Sequence, residues 1–198
     1  MPRGFTDKEK ESIRQSLLIE GRRFLESYGI RKTNIEDLTQ AAHISKGAFY
    51  SFFSSKEELF LEVLEAYEEE FRADVLARIA PATGDATGMV RSLLSTAFAA
   101  YRSSPLFKNF GPQDYDLLIR KLPAERVKYH LQDDDKFIVQ IIAAWQAAGV
   151  QVKTDPQLVA GVTKALFYVS LHADEIGDAF QDTLDLLIDL VAQHLTAR

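Results

Sequence analysis

The chain has 198 residues, of which 46% are hydrophobic and 26% charged, a balance typical of a globular protein of one or two domains. It contains no cysteine, which excludes a disulfide framework and a thiolate metal site. The N-terminus lacks the apolar core of a signal peptide and the later apolar runs are interrupted by polar residues, so we expect a cytoplasmic protein with no membrane contact.

The net charge of −6 is unevenly distributed along the chain. Residues 1–56 carry a net charge of +3, and the rest of the chain carries −9. A basic end on an acidic remainder would bind a polyanion in one orientation and in a salt-dependent way. The charge asymmetry therefore favours a nucleic-acid partner for the N-terminal part.

The first predicted helix covers Thr6–Tyr28. Thr6 and Glu9 have the spacing of a capping box, in which each side chain accepts a hydrogen bond from the backbone amide of the other residue, and Gly29 is a typical C-cap. An apolar stripe at helical spacing indicates the buried face, and it consists of Ile13, Leu17, Phe24 and Tyr28.

Two further helices are predicted by capping residues in the next stretch. Thr33 with Glu36 has the spacing of a second capping box, so we expect a helix from Asn34 to Ala42. Ser45 is a suitable cap for a short helix, Lys46–Phe53. Its inward positions would be Ala48, Phe49, Phe52 and Phe53, and its outward positions Lys46, Gly47, Tyr50 and Ser51.

The outward face of this short helix suits a DNA groove, because it offers a cation, hydroxyl donors and a glycine that allows close backbone approach. Ser55 with Glu58 has the spacing of a capping box for a helix that begins at Lys56. The first-turn amides beside Thr33 and Lys56 suit phosphate groups. The predicted DNA-binding residues are Thr33, Ser45, Lys46, Gly47, Tyr50, Ser51 and Lys56.

The run Ala42–Tyr50, AHISKGAFY, followed by Phe52-Phe53, Ser55-Lys56 and Leu59, resembles the helix-turn-helix of the TetR family of transcriptional regulators. The resemblance implies an all-α homodimer that binds a palindromic double-stranded DNA operator. It also implies a head domain, residues 1–58, with Lys46–Phe53 as recognition helix, and a body domain, residues 59–198. In the family, the body usually binds a small molecule that lowers the affinity for DNA.

Two positions depart from the usual family pattern. Thr39 stands where a small apolar residue is common, and His43 stands where the turn usually has glycine. A turn glycine often has a positive φ, which histidine adopts less easily. We therefore expect mild backbone strain at His43.

The helix from Lys56 is predicted to continue through Leu59, Val63 and Phe71 towards Ile79, so that one helix belongs to both head and body and can transmit a ligand signal. The segment Pro81–Asp85 should end it. The body helices are then expected at Ala86–Arg102, Pro112–Lys121, Ala124–Gln132, Asp133–Ala148, Asp155–Ile176 and Ala179–Thr196.

Aromatic residues are concentrated in the middle of the body, where they could line an apolar cavity for an apolar or aromatic effector. The alternative is that they are ordinary core residues, and the loops around Pro105–Pro112 could form a lid. The candidate effector residues are Phe98, Tyr101, Phe107, Phe110, Tyr115, Trp145, Phe167 and Tyr168.

The last two predicted helices carry apolar stripes that either close the protomer core or pair with a second copy. The TetR resemblance favours pairing, because in that family these helices form a four-helix dimer interface. The candidate interface residues are Leu158, Val162, Leu166, Val169, Leu184, Leu187, Ile188 and Val191.

Two pairings of histidine with carboxylates have a spacing that could hold a metal, namely His130 with Asp133 and Asp134, and His172 with Glu175. Each offers too few ligands, so we interpret them as solvated helix faces and predict no metal and no cofactor. No nucleophile elbow or phosphate-binding glycine loop is present, which argues against an enzyme. The alternatives are a DNA-binding regulator without an effector and a helical ligand-binding or catalytic protein that does not use DNA.

Overall fold

The computed structural model describes residues 5–79, 85–152 and 155–196. In these ranges the chain is helical, which confirms the predicted all-α fold, and the elements in order are α1 (Asp7–Lys32), α2 (Ile35–Ala41), α3 (Lys46–Phe49), α4 (Lys56–Ala77), α5 (Ala86–Ser103), α6 (Pro105–Lys108), α7 (Pro112–Lys121), α8 (Ala124–Ala147), α9 (Pro156–Leu171), α10 (Ala173–Ile176), a 3₁₀ turn (Gly177–Ala179) and α11 (Phe180–Thr196). None of the helices within these ranges combines the length and the apolar character needed to cross a bilayer.

Contacts divide the chain into two compact units. The first unit contains Met1–Glu68 and Pro105–Pro123, and the second contains Glu69–Ser104 and Ala124–Arg198. Helix α4 runs without a break through the division and contributes residues to both units. The functional boundary at residue 58 stays a prediction, but α6 and α7, which the sequence analysis placed with the body, pack with the N-terminal helices.

Helix α1 begins with the predicted capping box, since the amide of Thr6 donates to the carboxylate of Glu9 at 2.7 Å and the amide of Glu9 donates to the hydroxyl of Thr6 at 3.3 Å. Regular helical geometry is interrupted directly after Tyr28, where the end was predicted, and a further turn continues to Lys32 beyond a kink at Gly29. Gly29 has φ 76° and ψ 172°, and a Cβ there would lie 2.9 Å from the carbonyl oxygen of Asn109. Both the conformation and the close approach therefore require glycine.

The segment α6–α7 is attached to the end of α1 by polar contacts. The side-chain amide of Asn109 donates to the carbonyl of Glu26 at 2.6 Å, and the Nε of Arg31 donates to the carboxylate of Asp114 at 3.1 Å. Asp114 is buried and also accepts from the amide of Gly111 at 3.1 Å, so it caps α7 as well. These contacts span more than 80 residues of sequence, and no local pattern predicts them.

Helix α8 is continuous from Ala124 to Ala147, whereas two helices divided at Gln132 were predicted. The acidic run at the predicted break is neutralised by partners. Arg72, whose side chain is 12% exposed, binds the carboxylates of Asp133 at 2.8 Å and Asp134 at 2.6 Å. Lys164 binds Asp135 at 2.6 Å, and Lys136 binds Asp133 at 3.2 Å. These ion pairs allow the helix to run through the acidic run.

Two further element ends differ from prediction. Helix α4 ends at Ala77, not at Ile79, and residues 81–84 of the predicted break lie outside the described ranges. The helix predicted over Asp155–Ile176 ends at Leu171, because His172 leaves the helical region with φ −97° and ψ 22°. Asp155 caps α9 through the amide of Gln157 at 2.9 Å.

In the second unit, α5 packs on α11, α8 on α9 and α9 on α11. The buried apolar residues form two clusters. The larger one contains Val90, Ile138, Ile142, Trp145, Val150 and Val159 among others. The smaller one consists of Phe98, Leu166, Phe180, Leu184 and Ile188.

Candidate DNA-binding face

The turn between α2 and α3 has the hydrogen bonds of a Schellman motif. The amide of Ile44 donates to the carbonyl of Thr39 at 3.0 Å, and the amide of His43 donates to the carbonyl of Gln40 at 3.2 Å. The motif requires a left-handed residue after the helix, and His43 has φ 55°. The predicted positive φ at His43 is thus confirmed, and it is the single non-glycine residue with this conformation among the described residues.

Helix α3 is capped as predicted, because the hydroxyl of Ser45 accepts from the amide of Ala48 at 3.1 Å. The α-helix ends at Phe49, four residues before the predicted end at Phe53. The amides of Ser51 and Phe52 bond three residues back, at 3.0 Å and 2.9 Å, so the helix tightens into a 3₁₀-like turn.

The two faces of this segment are as predicted in their main features. Phe49 and Phe53 are buried, with ring centroids 5.9 Å apart, while Ala48 and Phe52 are partly exposed. The polar face is open to solvent, and Tyr50 is 51% exposed. The exposed residues are Ser45, Lys46, Gly47, Tyr50 and Ser51.

The ammonium group of Lys46 forms an ion pair with the carboxylate of Glu36 on α2, ten residues earlier. Both side chains are more than half exposed, at 54% and 60%. The hydrogen bond from Lys46 lowers the pKa of Glu36, and the hydrogen bond to Glu36 raises the pKa of Lys46. Both groups are therefore charged at neutral pH.

The predicted capping box of Thr33 and Glu36 is wrong. Asn34 is the N-cap of α2, and its side-chain oxygen accepts from the amide of Asp37 at 2.8 Å. Thr33 is 2% exposed and its hydroxyl donates to the carbonyl of Gly29 at 2.9 Å, so it closes the last turn of α1. Asn34 has the better position because it directly precedes the first helical residue, Ile35.

Thr39, the other departure from the family pattern, is buried at 4% exposure. Its hydroxyl donates to the carbonyl of Glu36 at 3.0 Å. This bond satisfies the one polar group that threonine adds over an apolar residue, so the substitution is accommodated inside α2.

Lys56 lies at the start of α4, as predicted, but its ammonium group is turned towards the end of α1. It donates to the carbonyl oxygens of Ile30 at 2.9 Å and Thr33 at 2.6 Å. The capping box predicted for Ser55 and Glu58 is half present. The hydroxyl of Ser55 accepts from the amide of Glu58 at 3.1 Å, while the Glu58 carboxylate binds Ser54 instead.

The candidate effector residues do not form one group. Phe107, Phe110 and Tyr115 belong to the first unit, where Phe107 lies 5.3 Å from Tyr67 between ring centroids. The others belong to the second unit, but Phe98 and Trp145 are buried in its two different apolar clusters. Tyr101, Phe167 and Tyr168 remain together, with centroid distances of 5.4 Å between the first two and 5.9 Å between the last two.

The candidate dimer residues also divide into two sets. Leu166, Leu184 and Ile188 are core residues of the second unit, with exposures of 3% or less, so their assignment to a protomer surface is wrong. Val162, Val169, Leu187 and Val191 are partly exposed, and Leu158 is 49% exposed. Leu186 and Leu190, which were not among the candidates, are 60% and 53% exposed on α11.

The histidine and carboxylate pairings do not assemble into a metal site. In the part of the chain that the structure describes, no three metal-ligating side chains converge. His172 pairs with Glu175 at 3.0 Å on an exposed turn, while Asp133 and Asp134 bind Arg72.

The comparisons with known proteins place this geometry in a class. Residues 17–63 match the model of the bacterial regulatory proteins of the TetR family. The transcriptional regulator AcrR of Shigella flexneri is 29% identical over 89 residues, which cover 45% of this chain and 41% of AcrR. The alignment therefore spans about two fifths of that relative.

Two solved structures show the same fold over nearly the whole chain. A TetR-family transcriptional regulator from Pectobacterium atrosepticum has a TM-score of 0.69 at 21% identity, with 98% of this chain and 99% of that chain covered. The regulator RolR, solved with the ligand resorcinol, has a TM-score of 0.60 at 16% identity, with 98% and 97% covered.

The relatives that match the chain are transcriptional regulators. The predicted resemblance is confirmed over residues 17–63, which match the TetR-family model, and the fold of the described residues is that of solved TetR-family regulators.

Proposed function

We propose that the protein is a dimeric, sequence-specific DNA-binding transcriptional regulator, a repressor released from a palindromic operator by a small molecule. The observation that carries the proposal is the arrangement of α2, the Schellman turn and α3, which presents a compact polar face between two capped helices. In helix-turn-helix proteins the second helix enters the major groove with its N-terminal residues at the base edges. Here those residues are Ser45, Lys46 and Gly47.

Within this face, Lys46 and Tyr50 are the groove-facing side chains, and Ser51 extends the face towards the flanking phosphates. Two of the predicted phosphate contacts need revision. Thr33 offers its backbone and not its buried hydroxyl, and Lys56 offers only the part of its ammonium group that the two carbonyls leave open. We propose that their main role is to fix the junction of α1, α2 and α4 beneath the face.

Dimerisation is supported by an apolar surface on α9 and α11. Leu186 and Leu190 lie one turn apart on the outer face of α11, and Leu158 and Tyr168 are exposed on α9. An apolar helix face of this extent marks an interaction site. A second copy is the natural occupant, because a two-fold symmetric pair reaches two half-sites about 34–36 Å apart.

The dimer proposal predicts that Leu190→Asp yields a monomer in analytical ultracentrifugation. Ile19→Asp is the matched control, since Ile19 is an equally exposed apolar residue on α1, at 65% exposure, and should leave the assembly unchanged. A Leu190→Asp protein that sediments like the wild type would contradict the assignment of this face.

We propose an apolar or aromatic effector that binds beside the aromatic group of the second unit. Tyr101 and Phe167 pack edge to face, and Phe71 lies 6.4 Å from Tyr101 between centroids. Such rings provide apolar surface together with polar hydroxyl groups, as small-molecule sites require. RolR, which has the same fold, was solved with resorcinol, a small aromatic ligand.

The experiment that tests the function is selection of the purified protein on a pool of random duplexes, followed by sequencing, at two salt concentrations. We expect enrichment of a palindrome, which then serves as the probe for a screen of apolar and aromatic effectors. Salt-sensitive binding without enrichment would contradict sequence-specific recognition. An enriched operator that no compound class releases would support a regulator without an effector.

A further inference from the structure

One contact on the DNA-binding face is not explained by DNA binding. The exposed cation of this face, Lys46, is bound to the carboxylate of Glu36. Its position is not an accident of one flexible side chain, because Glu36 is on α2 and Lys46 is the first residue of α3, and the Schellman turn fixes the two helices relative to each other.

The pair has no net charge, although it lies on an exposed part of the face. A phosphate that approaches Lys46 must also approach the carboxylate of Glu36, which repels it. In sequence-independent binding, each phosphate that a cation neutralises adds to the affinity for DNA, because counterions are released. A lysine that is already neutralised by a carboxylate adds little to this counterion-release contribution.

Sequence-specific binding is different, because base-edge contacts in the groove compensate for the opening of the pair. Lysine is one of the two side chains that donate to the guanine acceptors in the major groove. A duplex with the right base at this position can replace Glu36 as the partner of Lys46, whereas any other duplex leaves the pair closed.

We propose that Glu36 is a specificity-determining residue, which holds Lys46 in a neutral ion pair and so lowers the affinity for non-operator DNA more than the affinity for the operator. The inference rests on the proposed function, because it requires that the protein binds an operator. It concerns discrimination between duplexes, which is a difference between two affinities.

The structure offers a matched control. Asp37 is the next residue, is also exposed, and carries the same charge in the same turn of α2. It lines the cleft between α1 and α2, together with Arg23 and Lys32, and so lies away from α3. Glu36→Gln and Asp37→Asn therefore change the net charge and the first turn of α2 equally, and only the first releases Lys46.

The experiment measures binding of the full-length protein to its selected operator and to a scrambled duplex of equal length, from low to moderate salt. For Glu36→Gln we expect about a tenfold gain on the scrambled duplex, a smaller gain on the operator, and a salt slope on the scrambled duplex that is steeper by about 0.9, the value for one more phosphate contact. For Asp37→Asn we expect a small gain that is equal on both duplexes. In the Glu36→Gln background, Lys46→Met should remove the gain.

Three results would overturn the inference. Equal behaviour of Glu36→Gln and Asp37→Asn would mean that only net charge matters. Persistence of the gain in the Glu36→Gln, Lys46→Met double variant would mean that Lys46 is not the released group. A wild-type protein that enriches no operator would contradict the proposed function, and the inference with it, whereas the first two results leave the proposed function intact. The unfolding midpoint of each variant is measured to check that it is folded, as expected for substitutions of exposed side chains.

Discussion

The strained turn of the helix-turn-helix gives a prediction about stability. Replacement of His43 by glycine should stabilise the protein, because His43 has φ 55° and its side chain is exposed, so little packing is lost. A left-handed conformation costs a residue with a Cβ about 1–2 kcal/mol of folding free energy. Glycine avoids this cost, but it lowers stability by about 0.4–1 kcal/mol because its unfolded chain has more conformational freedom. The expected net gain is about 0.5–1 kcal/mol. For a chain of this size that corresponds to about 1–4 °C in Tm.

The same chain contains a reference for this turn. The amides of Gly149 and Val150 close a Schellman motif at the end of α8, at 3.0 Å and 2.9 Å, and there the left-handed residue is Gly149, with φ 91°. The two turns thus have the same hydrogen bonds, and they differ in whether the left-handed residue has a Cβ. The stability difference between His43→Gly and wild type measures what that Cβ costs.

The assay is urea unfolding followed by circular dichroism. The m value should be the same for wild type and variants, so that a shift in midpoint reports a change in stability. His43→Ala is the control, because it removes the imidazole and keeps the Cβ, and it should be no more stable than the wild type. The reasoning would be refuted if His43→Gly had an unchanged or lower midpoint, or if His43→Ala were stabilised as much as His43→Gly.

Three further predictions concern the parts that support the face and the second unit. Lys56→Met should destabilise the protein by about 1–3 kcal/mol in urea unfolding, since two carbonyls at the end of α1 lose their donor. An unchanged unfolding midpoint with a reduced salt slope of DNA binding would instead mean that Lys56 acts only as a phosphate contact. Gly29→Ala should lower the free energy of unfolding by about 2 kcal/mol or more, and clearly more than Gly177→Ala. Both glycines have a positive φ, but only at Gly29 would an added Cβ meet a backbone oxygen, at 2.9 Å. The pKa of Asp133 is lowered, mainly by a hydrogen bond from Lys136. The ionised carboxylate should therefore stabilise the fold fully above about pH 5, and this stabilisation should be lost as the pH falls below about 4. Asp133→Asn should flatten the acid side of a curve of unfolding free energy against pH.

Local capping could be predicted from the sequence because its partners are three or four residues apart. The capping box of Thr6, the cap of Ser45 and the start of α4 after Ser55 are all present. The exposed residues of α3 followed from the same short-range reasoning, since a capped start and two buried phenylalanines determine the phase of the helix. This part of the candidate site needed no knowledge of the fold.

The errors arise where several residues compete for one role or where the partner is distant in sequence. Thr33 and Asn34 are adjacent and both suit an N-cap, and burial of Thr33 against Gly29 decides in favour of Asn34. Once Asn34 is the cap, the side chain of Glu36 is free to reach Lys46, a contact that no capping pattern predicts. The continuity of α8 likewise depends on Arg72, which lies about 60 residues earlier.

The proposed dimer face shows why a periodic pattern identifies an apolar helix but not its orientation. Helix α11 is apolar on two sides, one with Leu184 and Ile188, and the other with Leu186 and Leu190. Both sets repeat at a step of four, and the sequence analysis chose the set that is continuous with the core. A helix that packs on its own protomer needs only one apolar side. The second side is the informative one, because the protomer itself does not explain why these leucines are exposed. The explanation that we propose is association of two copies along α9 and α11.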